Sequence, residues 1–146
     1  MTRQKVEKSW RCRTLAAADT EALASLMLAA YKETVDYDGE TLEDAIFQIR
    51  SAFQGKFGSF QDLSSFAIEE EGRFLSAIII TIWQGRPLVA FSMTRPECKN
   101  MGMATYLLKS AINALLTFGQ KELILTVTDG NEPAQHIYEK VGFQPE

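Results

Sequence analysis

Residues 87–108 read PLVAFSMTRPECKNMGMATYLL, and this stretch decides the fold. Its first part is an apolar run that ends at Pro96 and is typical of a buried strand. Its last part opens an apolar stripe that continues to Phe118 and predicts a helix. Between them lies a short loop with Gly102 at its far end. A strand, a tight loop and a helix start aim unpaired backbone N–H groups at one spot, which typically binds an anion such as phosphate.

The loop alone leaves its role open. It lacks the Gly-Lys-Ser/Thr of a Walker loop, and with Gly102 as its single glycine it lacks the Rossmann dinucleotide fingerprint. An ordinary strand-to-helix connection and an anion site are both consistent with this stretch. A second motif, near the C-terminus, favours one of the two.

Composition and charge indicate one soluble globular domain over residues 1–146. Hydrophobic residues make up 46% and charged residues 23% of the 146-residue chain, which is long enough to bury a core. The net charge of −4 argues against a nucleic-acid-binding surface. The longest apolar run, residues 75–83, is interrupted by Ser76 and Thr81, so no membrane span is predicted.

Cysteine and histidine usage bears on location and on metal binding. The first residues form no apolar signal region, and Cys12 and Cys98 are too few for a disulfide framework. We therefore expect a cytoplasmic protein in a reducing compartment. With one histidine and no Cys-x-x-Cys pair, a structural zinc site is not expected.

Hydrophobic periodicity predicts the element order β-α-α-β-β-β-α-β-α. The predicted strands cover residues 10–15, 65–70, 74–83, 88–94 and 122–127. Asp19 or Thr20 is predicted to cap the first helix and Thr41 the second, and two further helices are predicted to begin after Gly102 and at about Glu132. Residues 54–63 are predicted to be a loop, and residues 71–72 and 84–86 to be hairpin turns. A continuous apolar run at 77–80 predicts a strand buried on both faces, at the centre of the sheet.

The first two helices carry apolar stripes that we expect to face the core. The stripes are Leu23, Leu26, Met27, Ala30 and Tyr31 in the first helix, and Leu42, Ala45, Ile46, Ile49 and Phe53 in the second. Thr41 and Asp44 form a capping-box-like pair before the second helix. Residues 88–127 form a strand–helix–strand unit that predicts a parallel pair, whereas the preceding hairpins predict antiparallel pairs. The fold class is therefore α/β (mixed α+β): a central mixed, mostly antiparallel sheet with helices on both faces.

Residues 131–143 read NEPAQHIYEKVGF and form the second motif. On a helix at about 100° per residue, Asn131, Ala134 and Tyr138 share one face, and His136 lies on the solvent side. A small residue between an amide and a phenol leaves room for a thin ligand to pass. Taken singly, the same residues are typical of a helix cap, a core alanine and a half-buried tyrosine.

Together the two motifs resemble the GNAT family of acyl-CoA-dependent N-acetyltransferases. Residues 99–104, KNMGMA, look like that family's Gln/Arg-x-x-Gly-x-Gly/Ala cofactor loop. Residues 94–97, TRPE, stand where the family often has Val-x-Pro-Glu. Residues 131–143 match its Asn-x-x-Ala-x-x-x-Tyr-x-x-x-Gly-Phe motif at every named position. The element order also agrees, although the motifs themselves lie in the last third of the chain.

The resemblance implies a role for each matched residue. Backbone N–H groups of the loop would bind the cofactor pyrophosphate, and the strand before the loop would pair with the pantetheine arm. Tyr138 would be the catalytic residue, placed to protonate the leaving thiolate. The cofactor-binding residues would be Ser92, Met93, Thr94, Lys99, Asn100, Met101, Gly102, Met103, Ala104, Thr105 and Asn131.

The chemistry of acyl transfer is consistent with these roles. Attack of an amine on a thioester expels a thiolate, and a phenol with an ordinary pKa of about 10 can protonate it at neutral pH. A strand N–H near Met93 could stabilise the carbonyl oxygen. We expect an N-acetyltransferase that uses acetyl-CoA as co-substrate and no metal, and acts on a primary amine of a small molecule or peptide in a ternary complex.

The general base is left open. Family members often carry a carboxylate near the start of the strand before the loop, but residues 88–94 contain no acid. The candidates are a water chain or one of four carboxylates: Asp36, Asp38, Glu69 and Asp129. A non-catalytic acyl-CoA-binding regulatory module is therefore the alternative to an enzyme. Tyr138 favours the enzyme because a pure binder needs no proton donor there.

Two further expectations concern partners. Asp36, Asp38 and Glu40 form an acidic loop that would attract a cationic acceptor, or would simply be solvated. Because few residues follow Phe143, the strand at 122–127 would lie at a sheet edge. A homodimer across this edge, cover by residues 1–9 and a shortened chain are the three explanations, of which we favour the homodimer.

Overall fold

The computed structural model describes residues 1–6, 10–32, 34, 37–126, 138 and 142–143. Its strands are β1 (Cys12–Thr14), β2 (Ser59–Phe60), β3 (Phe66–Glu70), β4 (Arg73–Trp83) and β5 (Arg86–Thr94). Its helices are α1 (Thr20–Tyr31), α2 (Leu42–Phe53) and α3 (Met103–Thr117), with short 3-10 turns at Ala17–Asp19 and Pro96–Cys98. The helix predicted from Glu132 lies outside the described residues, apart from Tyr138.

The sheet is antiparallel from β1 through β3 and β4 to β5. Both predicted hairpin turns are confirmed, since Glu71 and Gly72, like Gln84 and Gly85, have positive φ angles that suit tight hairpins. The prediction of a loop throughout 54–63 is wrong, because residues 59–60 form β2. This short strand pairs with the last residues of β4, next to the part of β4 that pairs with β3. A strand of two residues is too short to leave a periodic signal in the sequence.

A parallel pairing follows the crossover through α3, as predicted. The Ile124 N–H donates to the Pro87 carbonyl at 2.9 Å, and the Val89 N–H donates to the Ile124 carbonyl at 2.8 Å. Within the described residues this contact is an isolated bridge between Leu88 and Ile124, so the strand predicted for 122–127 is shorter than expected. The Ile124 N–H is therefore hydrogen-bonded within the chain. The homodimer, which would use the opposite edge of this segment, stays a prediction.

Two apolar layers cover the sheet, one on each face. The layer on one face packs α1 and α2 on the sheet, and the layer on the other packs α3 on it. β4 is buried along most of its length, which confirms it as the central strand. Helices on both faces of a mixed sheet confirm the predicted fold class.

At the helix ends one prediction is confirmed and two are corrected. Thr41 and Asp44 do form a capping box at α2, with the Asp44 N–H donating to Thr41 Oγ1 at 3.2 Å. Asp19, in contrast, does not cap α1 with its side chain, because its carboxylate accepts from Arg13 at 2.8 Å and from the Ala16 N–H at 2.9 Å. Leu42 was expected in the core but is 45% exposed, since it is the first residue of α2.

Several other stripe residues are less buried than expected. Ala45 and Ile49 are buried in α2, whereas Ile46, Phe53 and Tyr31 are half-buried. All other stripe residues of α1 are buried.

Gly58 lies where the chain enters β2, with a φ angle of +107°. A Cβ atom at this position would lie 2.5 Å from the Ile82 carbonyl oxygen of β4. Gly58→Ala should therefore lower the free energy of unfolding by about 1–3 kcal/mol more than a control substitution. The control is Gly85→Ala, whose φ of +80° imposes similar backbone strain in open space. Urea denaturation of both variants measures the difference, and equal losses would contradict the steric explanation.

Candidate active site

Two residues near the end of the loop from β5 to α3 have left-handed backbone angles. Asn100 has φ +64° and Gly102 has φ +86°, and a glycine adopts this conformation without steric cost. The first intrahelical bond runs from the Tyr106 N–H to the Gly102 carbonyl at 2.9 Å. Among the described residues no side chain caps the start of α3, and its first turn contains no acidic residue. The N–H groups at the N-terminus of α3 are therefore suited to an anion.

The beginning of the loop is fixed to the adjacent strand. The Arg95 N–H donates to the Leu75 carbonyl at 2.9 Å, and Arg95 Nε donates to the Phe74 carbonyl at 2.7 Å. Glu97 forms an exposed ion pair with Arg73 at 3.5 Å. These contacts hold the loop in place relative to the end of β5.

The predicted cofactor residues differ in which of their atoms a ligand could reach. Four of these residues are exposed: Lys99, Asn100, Met101 and Gly102. Four others are half-buried: Ser92, Thr94, Ala104 and Thr105. The side chains of Met93 and Met103 are buried, each 2% exposed, so these two residues could serve a ligand through their backbones. Asn131 lies outside the described residues.

β5 contains a bulge at Ala90, within the strand that leads into this loop. Ile79 of β4 is opposite Phe91 and Ile80 is opposite Val89, so Ala90 is an extra residue on β5. A bulge interrupts the ladder and bends the strand locally. The hydrogen bonds to the neighbouring parallel segment involve Pro87 and Val89, which precede the bulge, whereas pairing with β4 continues to Thr94. Within the described residues, the outer edge of β5 beyond the bulge therefore has no paired strand.

Tyr138 lies against this part of β5. Its ring packs with the α3 layer and makes an edge contact with Phe143 at 5.8 Å between ring centroids. Its phenol lies near the Ser92 hydroxyl. Burial raises the pKa of Tyr138 above its ordinary value of 10.0, and the Ser92 hydroxyl offsets part of that rise. The phenol is therefore protonated at neutral pH and can donate a proton.

A cleft of about 290 Å³ opens on the opposite face of the sheet, between α1, α2 and β5. Its described lining residues are Met27, Leu28, Tyr31, Tyr37, Glu40, Asp44, Ala45, Gln48 and Phe91. Phe91 and Ser92 are neighbours in sequence, and successive strand residues face opposite sides of a sheet. The cleft thus reaches β5 one residue away from the residue that contacts Tyr138.

The candidate bases fall in different places. Glu69 is on β3, separated from β5 by β4, and its carboxylate is paired with Arg13 at 2.8 Å. Asp38 is exposed and does not line the cleft. Asp36 and Asp129 lie outside the described residues, as does His136. The carboxylates that do line the cleft are Glu40 and Asp44.

Sequence reasoning identified Asp44 only as a helix cap and gave no role to Gln48 or Phe91. A cleft that forms between three elements distant in sequence leaves no local motif. The one usable signal was the acidic loop before α2, which contains Glu40.

Other chemistries receive no support from the described residues. Cys98 is buried, and this burial is the main cause of the raised pKa of its thiol. Because the pKa is raised, little of the thiol is present as the reactive thiolate. Both cysteines are free thiols. Within the described ranges no three histidine, cysteine or acidic side chains come together as metal ligands. None of the helices in the described part of the chain combines the length and the apolar character needed to cross a membrane.

Comparison with known proteins agrees with the motifs. A family model described as the acetyltransferase (GNAT) family matches residues 11–143. A comparison with curated protein sequences finds no match.

Solved structures share the fold at low sequence identity. The PaiA N-acetyltransferase from Thermoplasma acidophilum, in complex with coenzyme A, has a TM-score of 0.74 at 20% identity, covering 95% of this chain and 92% of that chain. The ribosomal-protein-S18-alanine N-acetyltransferase from Escherichia coli has a TM-score of 0.72 at 18% identity, covering 93% and 78%. A GNAT family acetyltransferase from Brucella melitensis, in complex with acetyl-CoA, has a TM-score of 0.68 at 18% identity, covering 92% and 82%.

Proposed function

Because the chain belongs to the acetyltransferase (GNAT) family of acyl-CoA-dependent N-acetyltransferases, we propose that it transfers an acetyl group from acetyl-CoA to the primary amine of a small molecule or peptide. The amine attacks the thioester directly, in a ternary complex. The observation that carries the proposal is the placement of Tyr138 against Ser92, on the face of β5 opposite the cleft. In this proposal the proton donor and the acceptor cleft flank the same strand, one on each face.

The loop between β5 and α3 holds the cofactor in this proposal. Its uncapped first-turn N–H groups, at Met103, Ala104 and Thr105, bind the pyrophosphate. Lys99 is exposed in this loop, directly after its 3-10 turn, and adds a positive charge beside the pyrophosphate. The left-handed angle at Gly102 lets the backbone approach the phosphates closely.

The outer edge of β5 beyond its bulge accepts the pantetheine arm as an added strand. Backbone groups of Ser92, Met93 and Thr94 pair with the amides of that arm, because β5 has pairing on the β4 side alone at these positions within the described residues. Asn131 would hold the arm from the other side.

Tyr138 completes the transfer as the general acid. The nitrogen–carbon bond forms as the amine attacks the acetyl carbonyl, and the carbon–sulfur bond breaks. The departing thiolate takes the phenol proton of Tyr138, and the attacking amine loses its own proton to water or to a carboxylate. A donated proton of this kind is worth roughly 10²–10⁴-fold in rate.

A thiol-release assay tests the proposed function. Acetyl-CoA and a panel of primary amines are mixed with the protein, and free CoA thiol is measured against a no-amine control. Amine-dependent release supports an enzyme. Calorimetric binding of CoA without release for any amine would instead support the alternative, a non-catalytic acyl-CoA-binding module.

Ser92 should affect the pKa of Tyr138 and therefore the pH dependence of turnover. Because the nearby Ser92 hydroxyl lowers the pKa of Tyr138, Ser92→Ala should raise that pKa further, so the phenol loses its proton at higher pH. The alkaline limb of the kcat–pH profile should then move to higher pH. Ser92→Thr keeps the hydroxyl and should leave the limb near its wild-type position.

A double variant separates this effect from a general disturbance of β5. In the Tyr138→Phe background, Ser92→Ala should cause no further shift of the alkaline limb. A shift of equal size in both backgrounds would show that Ser92 acts through another group.

A further inference from the structure

The cleft between α1, α2 and β5 has an apolar floor and a charged rim. Met27 and Ala45 are buried, and Leu28, Tyr31 and Phe91 are half-buried. The exposed lining residues are Glu40, Asp44 and Gln48. No lysine or arginine is among the described residues that line the cleft. Its charge is therefore complementary to a cation, and its floor is complementary to an apolar group.

The rim carboxylates keep part of their hydrogen-bonding capacity for a ligand. Oδ2 of Asp44 accepts from the Thr41 N–H at 2.8 Å, and Oε2 of Glu40 accepts from the Asp38 N–H at 2.8 Å. A carboxylate has two oxygens that each accept more than one bond. The local bonds hold the two side chains in position and leave further acceptor sites for a ligand. Tyr31, Tyr37 and Phe91 add aromatic rings, which attract an organic cation.

The size of the cleft restricts the occupant. A volume of about 290 Å³ lies at the lower limit of ligand pockets, which is roughly 300 Å³. We propose, on the basis of the proposed acetyl transfer, that the acceptor is a compact primary amine with an apolar, aryl or alkyl body. Its body packs on Leu28, Met27 and Phe91, and the rim carboxylates attract its ammonium form. Hydroxyl-rich amino sugars and folded protein surfaces fit this floor poorly.

Acetylation of two size-matched amines tests the proposal. 2-Phenylethylamine has an apolar body, whereas glucosamine has a hydroxyl-rich body of similar size. Burial of the ring on the cleft floor should give the aryl amine a kcat/KM more than about tenfold higher. An equal or higher kcat/KM for glucosamine would overturn the proposal.

A pair of charge variants tests the rim. Glu40→Gln should raise KM for 2-phenylethylamine by about 3–10-fold at low salt and by less at high salt. Glu43→Gln is the matched control, because Glu43 is exposed in the first turn of α2 but does not line the cleft. Equal effects of both variants would show that only net charge matters and would overturn the role of Glu40.

Methyl NMR locates the amine without any turnover. With saturating CoA present, 2-phenylethylamine should shift the ε-methyl signal of Met27, which lines the cleft, through the ring current. Met103 is equally buried but packs in the α3 layer, so its signal is the internal control. An unchanged Met27 signal at concentrations that saturate acetylation would overturn the cleft as the acceptor site. A shifted Met27 signal without thiol release would support the cleft and contradict the proposed function.

Discussion

Tyr138→Phe is expected to lower kcat by about 10²–10⁴-fold, the range for loss of a general acid. The phenol is the proposed proton donor beside β5, and phenylalanine keeps the ring that packs against Phe143. Binding of CoA should therefore be nearly unchanged. Steady-state kinetics and calorimetry on the same preparation measure the two effects separately.

The control for Tyr138 is Tyr106→Phe, which removes a phenol from α3 that the proposed reaction does not use. This variant should retain wild-type kcat within a few-fold. If Tyr138→Phe also keeps near wild-type turnover for every active amine, Tyr138 serves packing alone and the proton must come from solvent.

Gly102→Val is expected to weaken CoA binding by at least about 100-fold, which corresponds to about 2.8 kcal/mol. Valine is strongly disfavoured at a φ of +86°, and its side chain would prevent close approach of the loop backbone to the pyrophosphate. Calorimetric titration with CoA gives the affinity, and circular dichroism reports whether the fold is retained.

Gly85→Val is the matched control for Gly102→Val. Gly85 has a φ of +80° in the turn between β4 and β5, and the space that a Cβ atom would occupy there is open. The Gly85→Val variant should carry similar backbone strain and keep its affinity for CoA. Unchanged CoA affinity in Gly102→Val would contradict the pyrophosphate assignment.

The fold was largely predictable because its signals are local. The uninterrupted apolar run of β4 marked the central strand, and Glu71-Gly72 and Gln84-Gly85 marked hairpins that the backbone confirms. The strand–loop–helix stretch from β5 to α3 also predicted the parallel contact of Leu88 with Ile124. Periodicity failed where an element was too short, as at β2, or where a stripe began at a helix end, as at Leu42.

The site was predictable only in part. Motifs with fixed spacing predicted a cofactor loop and a catalytic Tyr138, because each motif is a short segment of chain, and both assignments stay predictions. The contact between Ser92 and Tyr138 joins two segments far apart in sequence, and the cleft depends on the packing of α1 and α2 on β5. Such tertiary arrangements leave no pattern in the sequence. The cleft keeps Glu40 of the predicted acidic loop as a candidate acceptor contact, adds Asp44 and does not include Asp38.

The destination of the acetyl group distinguishes direct transfer to the amine from the alternatives. Acetyl-CoA carrying an isotopically labelled acetyl group is mixed with the protein and 2-phenylethylamine, and protein and amine are both analysed by mass spectrometry during turnover. Direct attack in a ternary complex predicts one labelled acetyl group on the amine, none on the protein, and loss of product formation in Tyr138→Phe. An acetylated protein intermediate, or an unmodified amine across a full panel despite bound CoA, would contradict the account.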